Sequence, residues 1–244
     1  MRSAQQKAFA IFTVPTGVIS WRPDNRHPHA FIPVGANFPP PPILIDREPA
    51  SPGRQPQIAV FGVTGGDGGR REIRDIARAV RVAAQELSPM RLVVLGRNSE
   101  AAENNLREAL RGAPVDLQIL GLLPPEEVSK ALSRADVLLF VRGQISTRRG
   151  SAIAGIACGL PIVAFAGGET APPITEAGLA LYSADEPGDL PRVLVKVLSD
   201  SNYRESLAER SRQAQRQYFS WKAIATRYAE ILRGGSASHD TLPE

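Results

Sequence analysis

Between residues 58 and 183 the chain repeats one pattern, and that repetition limits the folds open to it. A short apolar run is followed by a loop and then by a segment with helical spacing. The runs are "QIAVFGV", "MRLVVLG", "VDLQILG", "DVLLFV", "LPIVAFA" and "GLALYS". Most carry apolar residues without a polar alternation, so both faces of each strand must be buried. The segments between them are helical. In "RREIRDIARAVRVAAQEL", Ile73, Ile76, Ala77, Val80 and Ala84 fall on one face. "SEAAENNLREALRGA", "PPEEVSKALSRA" and "GSAIAGIACG" follow later strands. Strands alternating with helices predict an α/β fold, a doubly wound parallel sheet of Rossmann-like type. In such sheets ligands sit beyond the carboxyl ends of the strands. The unusual loops fall there: "TGGDGGRR", "GRNS", "RGQISTRRGS" and "AGGETAPP".

The flanks divide the chain further. Residues 1–57 are proline-rich, including "FPPPPILIDREPASPGRQP", and read as a remnant of an N-terminal domain with a linker. Residues 58–234 form the Rossmann-like domain and end in three helical stretches, "DLPRVLVKVLSD", "YRESLAERSRQAQRQY" and "WKAIATRYAEILRG". Residues 235–244 read as a disordered tail.

Composition narrows the function. The net charge of +4 is carried by arginine, with lysine only at positions 7, 130, 196 and 222. Arginine suits planar recognition of phosphate. The basic residues are scattered and aromatics make up 6% of the chain, so no nucleic-acid partner is expected. Cys158 stands alone, which excludes an internal disulfide. No apolar run reaches the roughly 20 residues of a membrane span, and a cytoplasmic protein is expected. The three histidines lie outside residues 58–234, and no residue there reads as a general base poised near neutrality.

Three loops carry candidate chemistry. In "FGVTGGDGGRRE", Gly65, Gly66, Gly68 and Gly69 allow close approach to an anion at the start of a helix, with Arg70 or Arg71 beside it. The spacing is neither a dinucleotide fingerprint nor a P-loop, and a flexible turn is the other reading. In "STRRGSAIAGIACG", Arg148 and Arg149 precede a helix start, where its dipole disfavours cations. A diphosphate between them and the helix would reverse that cost, with Gly150 giving access and Ser151 as the N-cap. Otherwise both arginines point into water, where screening makes the cost small. In "AGGET", Gly167 and Gly168 permit close approach, and Glu169 is placed either to accept from sugar hydroxyls or to face solvent.

Taken in order, these segments resemble the donor-binding half of family 4 glycosyltransferases, GT-B enzymes built from two Rossmann-like domains. "AGIACGLPIV" is similar to the family's "EAMACGLPVV", and "FIPVGANFPP" to its interdomain segment. The final "FSW…IA…Y" is similar to its last helices. The resemblance spans roughly residues 30–233. It implies transfer of a hexose from a nucleoside-diphosphate sugar to a glycan or lipid-linked acceptor. The diphosphate would lie near Gly65–Gly69 and near Arg149, Gly150 and Ser151. No metal and no further cofactor are expected.

The sequence departs from the family in three ways. Ser146 and Ala154 stand where the family has two glutamates, in an Arg-Arg-Gly-Ser version of the loop. Val63 and Gly68 stand near its usual basic pair. Some 55 residues stand where an acceptor domain of roughly one whole domain is expected, so a truncated product, a mis-called start or half of a split enzyme is anticipated, and the catalytic residues are left unassigned. A peripheral membrane contact and a partner supplying the missing domain are further expectations. The alternative is a non-catalytic GT-B-like relic or partner subunit acting through protein contact. A nucleotide-sugar epimerase is weaker, since its acidic and histidine residues are not found.

Overall fold

A computed structural model describes residues 11–13, 29–39, 54–87, 89–186 and 188–233. The expected C-terminal tail and most of the proline-rich segment 1–57 lie outside them. Two short strands, β1 (Ile11–Thr13) and β2 (His29–Phe31), pair in parallel. The main body is a six-stranded sheet of β3 (Gln57–Phe61), β4 (Met90–Leu95), β5 (Val115–Gly121), β6 (Val137–Gln144), β7 (Ile162–Phe165) and β8 (Leu179–Tyr182). Their order is β5-β4-β3-β6-β7-β8, and every pairing is parallel. The order reverses between β3 and β6, as in a Rossmann fold.

The continuous apolar runs are explained by the two layers that cover this sheet. Ile58, Val60, Leu92, Val94, Val137, Leu139 and Val163 face one layer. Against them pack α1 (Gly66–Glu86), α2 (Ser99–Ala109) and α5 (Asp189–Ser199), through Ile76, Val80, Leu106, Leu194 and Val197. Ala59, Val93, Leu95, Leu138, Phe140, Ile162 and Ala164 face the other layer. There α3 (Pro125–Ser133) and α4 (Gly150–Ala157) contribute Val128, Leu132, Ile153 and Ile156. Odd and even positions of one strand thus enter different cores.

The last helices lock the second layer. α6 (Ser201–Ala214) runs through a π-helical turn (Gln215–Phe219) that buries Phe219, and α7 (Trp221–Leu232) follows. The Asp200 side chain accepts from the Tyr203 N–H at the start of α6, and Ser220 accepts from Ala223 at the start of α7. Trp221 Nε1 donates to the Ala36 carbonyl at 2.9 Å, and Ser129 Oγ on α3 donates to the Pro39 carbonyl at 2.7 Å. The segment 34–39 is therefore fixed across α7 and α3, and it carries Phe38 to within 5.7 Å of the Phe61 ring at the end of β3.

Gly178, before β8, is set by close packing. A Cβ there would lie 1.8 Å from the Leu207 carbonyl oxygen of α6. The Gly178 N–H donates to Ser211 Oγ, which donates in turn to the Leu160 carbonyl at 2.7 Å. Gly178→Ala should cost about 1–3 kcal/mol, as overpacking does. Urea denaturation checks this, and an unchanged midpoint would refute the close packing.

Candidate functional site

The candidate site lies where β3 and β6 separate. These strands are in register only at Ile58↔Val137 and Ala59↔Leu138. Beyond that point their loops diverge and leave a crevice at the switch in strand order, the usual ligand position in such sheets.

One wall is the loop after β3. Gly62 adopts φ +80°, where a side chain is strained. Its N–H donates to the Leu95 carbonyl, and the Val63 N–H donates to that of Arg97. Asn98 Nδ2 donates to the Val63 carbonyl at 2.9 Å, tying the "GRNS" loop to this one. The α1 helix begins at Gly66, so Gly66, Gly68 and Gly69 belong to its first turn and Gly65 is the residue before it. Gly69 is dictated by packing, since a Cβ would fall 2.0 Å from the Thr64 carbonyl oxygen. Gly66, by contrast, faces open space.

Carboxylates crowd this start. Glu72, buried, accepts from the Thr64 N–H at 2.7 Å. Asp67 stands in the first turn of α1 and is paired with Arg70, both exposed. The helix start is thus already partly neutralised from within the chain, and Arg70 is engaged there.

The start of α4 is charged differently. No acidic residue occupies its first turn and no side chain caps it. Ser151 was expected as the N-cap; the structure corrects this. The Arg149 N–H donates to the Ser146 carbonyl at 3.1 Å, and this turn moves the helix start two residues earlier. Arg149 becomes the N-cap residue, Gly150 opens the helix, and Ser151 is its second residue. A Cβ on Gly150 would meet nothing within 4 Å, so the site is open there.

The two arginines of this loop take separate directions. Arg148 Nη2 pairs with Glu169 Oε1 at 2.5 Å. Arg149 Nε donates to the Gln144 carbonyl at 3.2 Å, and its Nη2 lies 3.7 Å from where a Gly143 Cβ would be. The "AGGET" turn is bound to the same place. Gln144 Oε1 accepts from the Glu169 N–H at 3.2 Å, and Thr170 Oγ1 donates to the Ile145 carbonyl at 2.7 Å. A Cβ on Gly167 would overlap Gln144 Oε1 at 2.1 Å, whereas Gly168 faces open space. Glu169 Oε2 is buried close to the Ser146 hydroxyl.

Ser146 and Ala154 are 2% and 0% exposed, so both are built into the protein beneath the crevice. Arg142, which the sequence pattern does not single out, is drawn into the crevice by β6. Its Nη1 lies 3.0 Å from where a Cβ of Gly62 would sit, and its Nε is buried with no partner. Its place directly after an apolar strand, in "FVRGQ", is the signal that could have found it.

A cavity of about 320 Å³ opens next to this region, between the first half of α1 and the ends of β6, β7 and β8. Arg71, Glu72, Asp75 and Arg78 line one side, Phe165 and Tyr182 the other. Burial, aided by the Asp75 carboxylate, pushes the Tyr182 hydroxyl up to about 12. Of the residues singled out from sequence, Gly68 and Arg71 line this cavity. Arg142 Nε, buried without a partner, belongs to a residue outside its lining and favours the crevice as the ligand position.

The Glu169 carboxyl is held below the ordinary glutamate value of 4.5. Donation by Arg148 is the main cause; desolvation opposes it, and the charges of Arg148 and Arg149 and a hydrogen bond from the Ser146 side chain add to it. A lowered folded pKa makes its contribution to stability complete above that value and lost as the pH falls through the folded one. NMR titration should therefore find Glu169 titrating below 4.5 and moving upward in Arg148→Ala; no movement would refute the pairing.

A family model described as glycosyl transferases group 1 matches residues 58–200. No curated protein sequence matches the chain. Solved structures do. WaaG, a glycosyltransferase involved in lipopolysaccharide biosynthesis, matches with a TM-score of 0.61 and 21% identity over 85% of this chain and 57% of that one. Anabaena HepE, in complex with UDP and glucose, matches with 0.56 and 16% over 74% and 48%. The C-terminal domain of a group 1 family protein from Francisella tularensis matches with 0.51 and 15% over 66% of this chain and 85% of that domain. The first two show that the chain spans about half the length of the full-length structures it resembles.

Proposed function

We propose, from the premise that this chain belongs to the group 1 glycosyl transferases, that its six-stranded domain is the donor-binding half of such an enzyme. The donor is a nucleoside-diphosphate hexose, and the acceptor a glycan or lipid-linked sugar. The observation that carries the reading is the uncapped, acid-free start of α4 at the strand-order switch, with the Arg149 guanidinium beside it. Free N–H groups at a helix start together with a guanidinium suit a diphosphate. The UDP bound to Anabaena HepE, a structure of the same fold, agrees with this donor class.

In this reading, breaking the bond from the sugar's anomeric carbon to the diphosphate leaves negative charge on the departing phosphate. The dipole of α4 and Arg149 stabilise that charge as it develops. Glu169 Oε2 is a buried acceptor close to the Ser146 hydroxyl, and its remaining acceptor capacity suits a sugar hydroxyl. Arg148 holds that carboxylate in place and ionised. The positive charge beside the diphosphate comes from guanidinium groups. The acceptor and the group that activates it come from a second domain or a partner chain.

Calorimetry with UDP, GDP and ADP tests this. At least one should bind, and Arg149→Ala should weaken it about tenfold, the loss of one charge-assisted contact. Binding of none would refute the donor reading. Gly150→Ala makes a sharper test. Open space surrounds that position, so melting should stay within about 0.5 kcal/mol of the parent. Nucleotide affinity should nevertheless fall several-fold, because the added methyl lies on the anion's path; equal affinity would remove the diphosphate from this helix start.

A second reading rests on α7. Trp221, Tyr228 and Leu232, at helical spacing, are exposed at 62%, 39% and 57%, and Val34 is exposed on the segment that α7 holds. Such a stripe fits a covering domain or partner subunit. A chain that binds no nucleotide yet pairs through this stripe would be a non-catalytic partner.

A further inference from the structure

The register of β6 contains a break. Leu138, Leu139 and Phe140 pair in turn with Ile162, Val163 and Ala164, but the next partner of β7's Phe165 is Gln144. Residues 141–143 are left without partners on β7. A bulge of this kind re-aims side chains next to functional sites. Here the strand's alternation continues, with residues 137, 139 and 141 on one face and 138 and 140 on the other. Val141 and Gly143 line the cavity beside α1, while Arg142 between them does not. Arg142 turns instead to the backbone of Gly62, across the gap between β3 and β6.

The environment of Arg142 is costly without a ligand. A buried donor on a charged group that forms no hydrogen bond loses its hydration and gains nothing in return. Gly62 makes the position reachable, since a side chain there would collide with the guanidinium. Two nearby cations are engaged in ion pairs: Arg70 with Asp67 and Arg148 with Glu169. The loop after β3 offers no basic side chain, only Gly62, Val63, Thr64 and Gly65 before α1.

We propose that Arg142, on the unpaired end of β6 and facing Gly62, is a ligand of the donor's diphosphate and supplies the charge that the loop after β3 lacks. This rests on the donor reading above. The planar guanidinium would grip a phosphate with two parallel N–H groups, while the adjacent Arg149 and the start of α4 hold the rest of the anion. A lysine at 142 would keep the charge but lose the fork.

The test compares the full chain with Arg142→Gln and Arg142→Lys, titrated with UDP, GDP, ADP and inorganic pyrophosphate. Ligand-free melting is recorded for each. The expected result is at least tenfold weaker binding in Arg142→Gln and a smaller loss in Arg142→Lys, with weaker salt dependence in Arg142→Gln. Parent binding of a nucleotide that both variants match within twofold overturns the proposal and leaves the donor reading standing. Parent binding of pyrophosphate but no nucleotide, lost in Arg142→Gln, supports Arg142 as an anion ligand and removes the donor reading. If the parent binds neither, both are overturned. Should Arg142→Gln melt well below the parent, Arg142→Lys decides. Weaker binding at an unchanged melting temperature supports the proposal, and equal binding overturns it.

Discussion

β3 and β6 share two register positions and then part. Their separation follows from the strand order, in which the chain builds outward from β3 on one side and returns to start the other half at β6. The loops after these two strands must leave in opposite directions, toward helices in different layers. The gap between them is filled by neither layer, and the buried, unpartnered Arg142 Nε lies beside it. Arg142 reaches into it from β6, Gly62 forms its floor, and the start of α4 opens on it.

The crevice is held by a second set of contacts. Gln144, at the end of β6, joins three elements: its carbonyl takes Arg149, its side chain takes the Glu169 N–H, and its body excludes any side chain at Gly167. Arg148 and Glu169 close the same circuit. The loop before α4 and the turn after β7 are therefore one unit. A change at Gln144 would disturb both, although Gln144 would touch no ligand itself. Electrostatics then separates the two helix starts that border the gap. Asp67 and Glu72 stand at α1, whereas none of the residues opening α4 is acidic. An anion is better placed at α4, because carboxylates near a helix start already answer its dipole.

The α/β class, the parallel sheet and the sixth strand were legible because each strand is buried on both faces and so reads as a continuous apolar run. The loops bordering the site were legible for a related reason. A doubly wound sheet places functional loops after its strands, and glycines and arginines there stand out against apolar neighbours. Pairing was not legible. Arg70, Arg148 and Arg149 look alike in sequence, yet one meets Asp67, one meets Glu169 and one folds over Gln144. Gly69 and Gly167 read as ligand-facing glycines, but packing against Thr64 and Gln144 accounts for them. These partners lie from a few to more than twenty residues away, and no local pattern encodes such distances.

The sequence by itself determined the layered architecture, the order of strand and helix, and the group of loops in which a ligand could sit. Those features depend on local periodicity and burial, which composition along the chain records directly. Only the tertiary structure decided which cations remain available, where α4 begins, and that Arg142 belongs to the site. The physical reason is that strand alternation fixes only the side of Arg142, whereas the neighbour it meets there, a glycine 80 residues earlier in the chain, is set by how β3 and β6 pack side by side.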